Sequence, residues 1–348
     1  MTETLSERRL NRALLARQLL LEPSHEPLTT VLERVGGIQT QYAPSGYIGL
    51  WTRMADFPRE DLTRALEARQ AIEATLMRMT IHIVSARDYW PMAVAIRDSR
   101  REWFARVNRA AMAGFDISEA ADVVRSELAH GPLKVAELSK RLKARGMPEI
   151  PIGWIGLWLD MVRIPPSGTW ARRRADLYGL AEEWVAPVAN LTVDDAQDLL
   201  VRRYLEAFGP ARPADIVNWA GIPSTDVHAA SERLGVVLFR DAERKKLVDM
   251  PGMPLPDEDA PAPVRFLPTF DSTLLVHARR TQILPERFRP LIFSTKMPQS
   301  VGTFLVDGQV AGTWRYKERV QFDSFDTLPK AVLRQVQREA ERLTEFHS

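Results

Sequence analysis

Apolar residues in the first three-quarters of the chain recur mostly at helical spacing, interrupted by proline and glycine at short intervals. The opening MTETLSERRLNRALLARQLL predicts an amphipathic helix over 5–20, and further helices are expected over 27–35 and from Pro58 (PREDLTRALEARQ). IEATLMR and TIHIV then read as paired strands. In the middle of the chain GPLKVAEL (131–138) aligns with GPARPADI (209–216). Each copy follows a helical segment, ISEAADVVRSELAH or DDAQDLLVRRYLEAF, and leads into a second short helix. After the second copy, STDVHAASERL (224–234) predicts a third helix, and VVLFRDAERKKLVDM predicts two short strands around a charged turn. Helix, turn, helix, helix, hairpin is the order of a winged helix-turn-helix unit. Three such units are expected, over 1–114, 115–190 and 191–250. Tandem units of this kind bind DNA or RNA, or serve as protein-binding modules, and the pattern alone leaves both open.

The pattern changes after a proline-rich, acidic linker at 251–263. VRFLPTFDSTLLVH, PLIFST and GTFLVDGQVAGTWRY alternate apolar and polar residues, and Asp307-Gly308 is a two-residue hairpin signal. A last helix is expected over PKAVLRQVQREAERL. The expected fold class is therefore α+β: three tandem winged helix-turn-helix units followed, over 264–348, by a small C-terminal β-barrel or sheet with a terminal helix.

Composition narrows the function classes. With 45% hydrophobic and 26% charged residues this is an ordinary globular chain, and no apolar run approaches the roughly 20 residues of a membrane helix. The N-terminal stretch lacks the apolar centre of a signal peptide, so a cytoplasmic protein without membrane partners is expected. The absence of cysteine excludes disulfides, thiolate metal sites and a cysteine nucleophile. The six histidines have no ligand spacing and no phosphate-cradling glycine loop is present, so neither metal nor cofactor is expected. Net charge is only +2, but the basic residues cluster: Arg97, Arg100, Arg101, Arg106 and Arg109, then Arg172 to Arg174, then Arg240, Arg244, Lys245 and Lys246. Such strips suit a polyanion, or are simply solvated faces.

The candidate chemistry lies in GGIQTQYAPSGYIGLW (36–51), at Gln39 and Gln41. The spacing itself carries nothing, because Gln335 and Gln337 repeat it inside a charged helix, where residues two apart diverge. Gly36-Gly37 and Pro44 leave 38–43 either extended or a helix fringe, and only on an extended stretch do the two side chains share a face.

Several stretches together make the chain resemble the AlkZ/YcaQ family of bacterial winged-helix DNA glycosylases: GIQTQYAPSGYIGLWTR, TLMRMTIHIVSARDYW, PPSGTWARRRADLYGLAEEW, RPADIVNWAGI, RFLPTFDSTLLVHARR and LVDGQVAGTWR. Gln39-Thr40-Gln41 corresponds to that family's catalytic QxQ motif, with threonine where a larger apolar residue is usual. The resemblance implies a C-shaped array around duplex DNA and excision of N7-alkylated guanines, including bulky adducts and interstrand crosslinks, often as self-resistance to a genotoxin. It also implies a monofunctional enzyme acting as a monomer on double-stranded DNA with alkylated purines, associated with the nucleoid.

An N7-alkylguanine is already cationic, so its departure needs no general acid. A glutamine carbonyl can hold a water and present its dipole to an oxocarbenium-like transition state. Neither glutamine can protonate a neutral base, so little release of uracil or ethenoadenine is expected. Further contacts to DNA are expected from Arg53, Arg78 and His82 near the motif, with a structural strand role as the alternative for His82. Arg172, Arg173 and Arg174 are expected on phosphate, with ion pairs to Asp176 and Glu182 as the alternative. His277, Arg279 and Arg280 are expected on a groove-entering hairpin. The competing function is a non-catalytic tandem winged-helix DNA-binding regulator, and a third is a protein-interaction scaffold.

Overall fold

The computed structural model describes residues 2–110, 115–278, 280–293 and 301–348. The first segment runs α1 (Glu7–Arg17), α2 (Leu28–Arg34), β1 (Ile38–Gln39), α3 (Ala43–Trp51), α4 (Arg59–Glu67), β2 (Ala71–Thr75), a 3-10 turn (Met77–Met79), β3 (Ile81–Ser85) and α5 (Ala86–Val107). The second has α6 (Ile117–Leu128), β4 (Leu133–Lys134), α7 (Val135–Ala144), α8 (Ile152–Ile155), β5 (Met161–Arg163), β6 (Leu177–Leu180) and α9 (Ala181–Trp184). The third has α10 (Val193–Phe208), α11 (Pro213–Ala220), α12 (Ser224–Arg233), β7 (Val237–Arg240) and β8 (Lys246–Asp249). The last has β9 (Arg265–Leu267), α13 (Arg289–Ile292), β10 (Gly302–Val306), β11 (Gln309–Lys317), β12 (Arg319–Ser324) and α14 (Lys330–His347).

Local chemistry explains many boundaries. Ser6 and Ser85 cap α1 and α5 through their hydroxyls, and Thr192 with Asp195 forms a reciprocal capping box on α10. Asp194 and Asp195 thus sit at the positive end of that helix. Among the described residues no helix is long and apolar enough to cross a membrane.

The strands of the first two segments form one antiparallel sheet in the order β1-β3-β2-β5-β6-β4. Its seam is β2 against β5, with Glu73 opposite Arg163 and Ala74 opposite Val162. Pairing the two hairpins removes an exposed edge from each. The hairpin β7-β8 stands apart as a two-stranded sheet, and α5 and α10 pass through the largest apolar core with Ile96, Leu200, Tyr204 and Trp219 buried.

The C-terminal region differs from the expected barrel. It is an open four-stranded sheet, β12-β11-β10-β9, with α14 burying Val336, Ala340 and Leu343 in a core shared with Phe266 and Phe304. Four strands are too few to close around a filled interior, and a helix covers the apolar face instead. The stretch VRFLPTFDSTLLVH is a strand only over β9. Pro268 lacks a ladder donor, Phe270 has φ 61°, and Asp271 accepts from Thr273 N and Oγ1, which turns the chain into a 3-10 segment at Ser272–Leu274. PLIFST begins in the short helix α13, and its remainder from 294 lies outside the described residues. The Asp307-Gly308 hairpin does form, with φ 46° and 78°. Arg8 and Arg12 both pair with Asp307, tying this turn to α1.

Candidate functional site

Gly36 and Gly37 end α2 with φ 72° and 78° and bring the chain tightly against β3. A Cβ on Gly37 would meet Val84 Cγ1 at 2.8 Å and the Ile83 carbonyl oxygen at 3.2 Å. The glycine pair therefore allows β1 to pair with β3, Ile38 opposite Ile83 and Gln39 opposite His82. The extension continues for one more residue, as Thr40 N–H donates to the Ile81 carbonyl at 2.8 Å, before Tyr42 and Pro44 start α3.

Gln39 and Gln41 thus lie two apart on an extended segment and on the same face of it. Gln39 is only 4% exposed, whereas Gln41 is open to solvent. Both side chains reach the connection between β2 and β3. Arg78 Nη2 donates to Gln39 Oε1 at 2.6 Å, and the Ile81 backbone N–H donates to Gln41 Oε1 at 3.0 Å. Each oxygen keeps a second lone pair. The connection is strained, with Arg78 and Met79 both left-handed at φ 53° and 58°. Two consecutive non-glycine residues in that region cost on the order of 1 kcal/mol each or more.

Arg78 is half-buried, and burial followed by repulsion from Arg280 lowers its pKa to about 10, with Tyr204 opposing, so it remains charged at neutral pH. His82 is buried, its Nδ1 lies 3.0 Å from the Thr80 carbonyl, and burial with the nearby Arg78 pulls its pKa to about 3. It is a neutral strand residue facing Gln39, not a cation offered to DNA.

Arg53 takes a different place from the one expected. It is buried at the end of α3, where Nη1 and Nη2 grip the Asp271 carboxylate at 3.0 and 2.9 Å and also donate to the Gly49 carbonyl and Gln18 Oε1. Engaged in this way it has no surface to offer a phosphate. His277 is likewise buried, with Nδ1 3.7 Å from Asp215 and 3.5 Å from the Tyr204 hydroxyl, and the described residues around it form no hairpin. Arg280 folds back to donate to the Leu274 carbonyl and lies 4.7 Å over the Phe293 ring. Arg279 lies outside the described residues.

Arg172, Arg173 and Arg174 are exposed on the connection between β5 and β6. Arg173 donates to the Tyr42 hydroxyl at 2.7 Å and so comes next to the glutamine segment. Arg174 pairs with Asp176 at 2.9 Å, while Glu182 pairs with Arg125 instead. Tyr42, Trp170, Arg173, Trp314 and Tyr316 line a cavity of about 300 Å³. Tyr42 lay inside the quoted motif, but these partners come from two other parts of the chain.

Sequence reasoning did not single out Glu73 or Trp103, nor separate Arg100 and Arg106 from their basic cluster. The i, i+3, i+6 spacing of Arg100, Trp103 and Arg106 on a long helix was the available signal. Among the described residues no group of three or more acidic or histidine side chains is placed to hold a metal ion.

A family model described as "DNA glycosylase AlkZ-like" matches residues 32–346. Among solved structures the chain is similar to Streptomyces sahachiroi DNA glycosylase AlkZ, at 19% sequence identity and a TM-score of 0.82, over 99% of this chain and 97% of that one. No curated protein matches the sequence.

Proposed function

Because this chain belongs to the AlkZ-like DNA glycosylase family, we propose that it hydrolyses the N-glycosidic bond of cationic N7-alkylguanines in duplex DNA, with Gln39 and Gln41 as the reacting pair. The observation that carries this reading is the meeting of both glutamine oxygens on the 77–81 connection, one fixed by Arg78 and the other by the Ile81 N–H. Amides held in this way are pre-oriented. Their free lone pairs can accept from a water and face the positive charge that develops on the sugar. His82, the titratable side chain opposite Gln39, is neutral and cannot act as an acid. A leaving base that carries its own charge needs none.

The element order supports reading 1–114, 115–190 and 191–250 as three winged units, each with cations on its strand connection: Arg78, then Arg172 to Arg174, then Arg244 and Lys245. The aromatic cavity beside Tyr42 favours bulky adducts, including crosslinks, since it offers stacking faces with Arg173 at the rim. The enzyme would be a monofunctional, monomeric, metal-free glycosylase serving base excision repair or self-resistance.

Incubation with duplex containing N7-methylguanine, followed by alkaline cleavage at the abasic site, tests the proposal. Wild-type protein should cut the strand, and Gln39→Ala with Gln41→Ala should lose at least about 100-fold in rate while still binding duplex. A wild type that binds duplex but releases no cationic base would make the protein a regulator.

A further inference from the structure

A second cavity, of about 500 Å³, has Arg78 in its wall. Its walls come from the Met77–Met79 turn, the outer part of α5 and the segment that ends α11, with Arg78, Arg100, Trp103, Arg106 and Ile222 among the lining residues. Arg78 Nη1, Arg100 Nε and Nη2, and His82 Nε2 are buried without a hydrogen-bond partner among the described residues. Among the described residues Arg100 is engaged through Nη1 alone, on the Thr75 carbonyl at 3.2 Å. Neighbouring arginines of the same helix are not left in this state: Arg97 pairs with Asp160 at 2.6 Å and Arg101 caps the Leu157 carbonyl at 2.8 Å. The acidic residue that lines the cavity, Glu102, is exposed.

Buried guanidinium nitrogens without acceptors are costly, and at neutral pH an arginine cannot shed its charge to escape that cost. The arrangement also conflicts with the proposed chemistry. Arg78 bonds directly to Gln39, so its uncompensated positive charge would oppose a cationic lesion and a cationic transition state. An anion held against Arg78 and Arg100 would remove both problems. Trp103, 46% exposed, and the apolar Ile222 and Pro223 give it the mixed lining that a sugar-phosphate needs, and its volume far exceeds that of a bare inorganic ion.

We propose that this cavity receives one phosphodiester of the DNA backbone, gripped by Arg78 and Arg100 with Arg106 at its mouth, and that this phosphate neutralises Arg78 and holds it on Gln39. Arg78 is then a positioning residue that couples backbone binding to the orientation of the Gln39 carbonyl. The coupling rests on the reading of Gln39 as catalytic; the phosphate contact does not.

Binding of lesion-free duplex, followed by fluorescence anisotropy across a salt series, tests the contact. Arg100→Gln should reduce the slope of log affinity against log salt by about one, and Arg100→Lys should retain it. Arg100→Gln should melt no lower than wild type, because it removes an unpaired buried charge, so the loss is not one of folding. For the coupling, single-turnover release of N7-methylguanine at saturating DNA should fall about ten-fold in Arg100→Gln. Uncharged methylphosphonates placed one by one along the lesion strand should reproduce that fall at one position in wild type and add nothing in the variant. An unchanged salt slope overturns the site. So does an unchanged slope with a thermal shift in inorganic phosphate that Arg100→Gln abolishes, which would assign a free-anion site. A reduced slope with an unchanged saturating rate overturns the coupling. If wild type releases no base, the functional reading fails, and the salt slope still decides the contact.

Discussion

Arg17 and Arg78 are both arginines drawn into the protein interior, and they are treated in opposite ways. Arg17 is fully buried in α1, with both η nitrogens on the Asp249 carboxylate at 2.7 Å and further bonds to the Leu205 and Pro254 carbonyls. Arg53 repeats the design with Asp271. Among the described residues Arg78 and Arg100 have no carboxylate partner, and nitrogens of both are left unbonded. The first pair joins distant parts of the chain: Arg17 fastens the opening helix to β8, and Arg53 fastens α3 to the 271–274 turn. The second lies beside the glutamine segment. Burial of a cation therefore does not by itself mark a functional residue. What sets Arg78 and Arg100 apart from Arg17 and Arg53 is the lack of a carboxylate among the described residues, which folding alone does not explain.

Glu73 shows a different resolution of the same problem. It is buried opposite Arg163 in the sheet, its Oε1 has no partner among the described residues, and a Cβ on Gly168 would collide with its carboxyl. Burial, only partly offset by Arg163, raises its pKa from 4.5 to about 8, so near neutrality it can take up a proton. The arginines have no such exit, with pKa values of about 10.

The largest effect on this comparison should come from Arg17→Ala. It strands the Asp249 carboxylate inside the protein and should cost about 3–5 kcal/mol in denaturant unfolding. A loss below about 1 kcal/mol would remove the distinction between paired and unpaired cations. Glu73→Gln should act in the other direction and depend on pH. The folded protein holds the Glu73 proton more tightly than the unfolded chain, so its contribution to stability is full below about pH 4.5 and is lost as pH rises through about 8. An amide in place of the carboxyl has no proton to lose, so the variant should match wild type near pH 5 and exceed it by about 1–3 kcal/mol near pH 9. Parallel stability curves for the two proteins would show that Glu73 is ionised throughout.

Much of this organisation was readable in the chain itself because its causes are local. Asp307-Gly308 turns by its own backbone preferences, and Gly36-Gly37 with Pro44 holds the glutamines on an extended stretch. The barrel was misread because Pro268 and Asp271 override an alternating pattern with turn chemistry. Arg53 and His277 were misplaced for another reason: their partners, Asp271 and Asp215, are far away in sequence, so nothing nearby indicated that they were already engaged. The bond from Arg78 to Gln39 was equally hidden, since it depends on β1 pairing with β3 in one register. The basic cluster on α5 was visible, but only the structure separates Arg100, left without a carboxylate, from Arg97, which has one.

The central claim is that two held amides release a base that is already charged, with no acid taking part. Single-turnover release from matched duplexes containing N7-methylguanine or uracil tests it most directly, using wild type and the Gln39→Ala, Gln41→Ala variant. The account predicts release of N7-methylguanine alone, lost in the variant with duplex affinity kept. Efficient uracil release by wild type that disappears in the variant would contradict it.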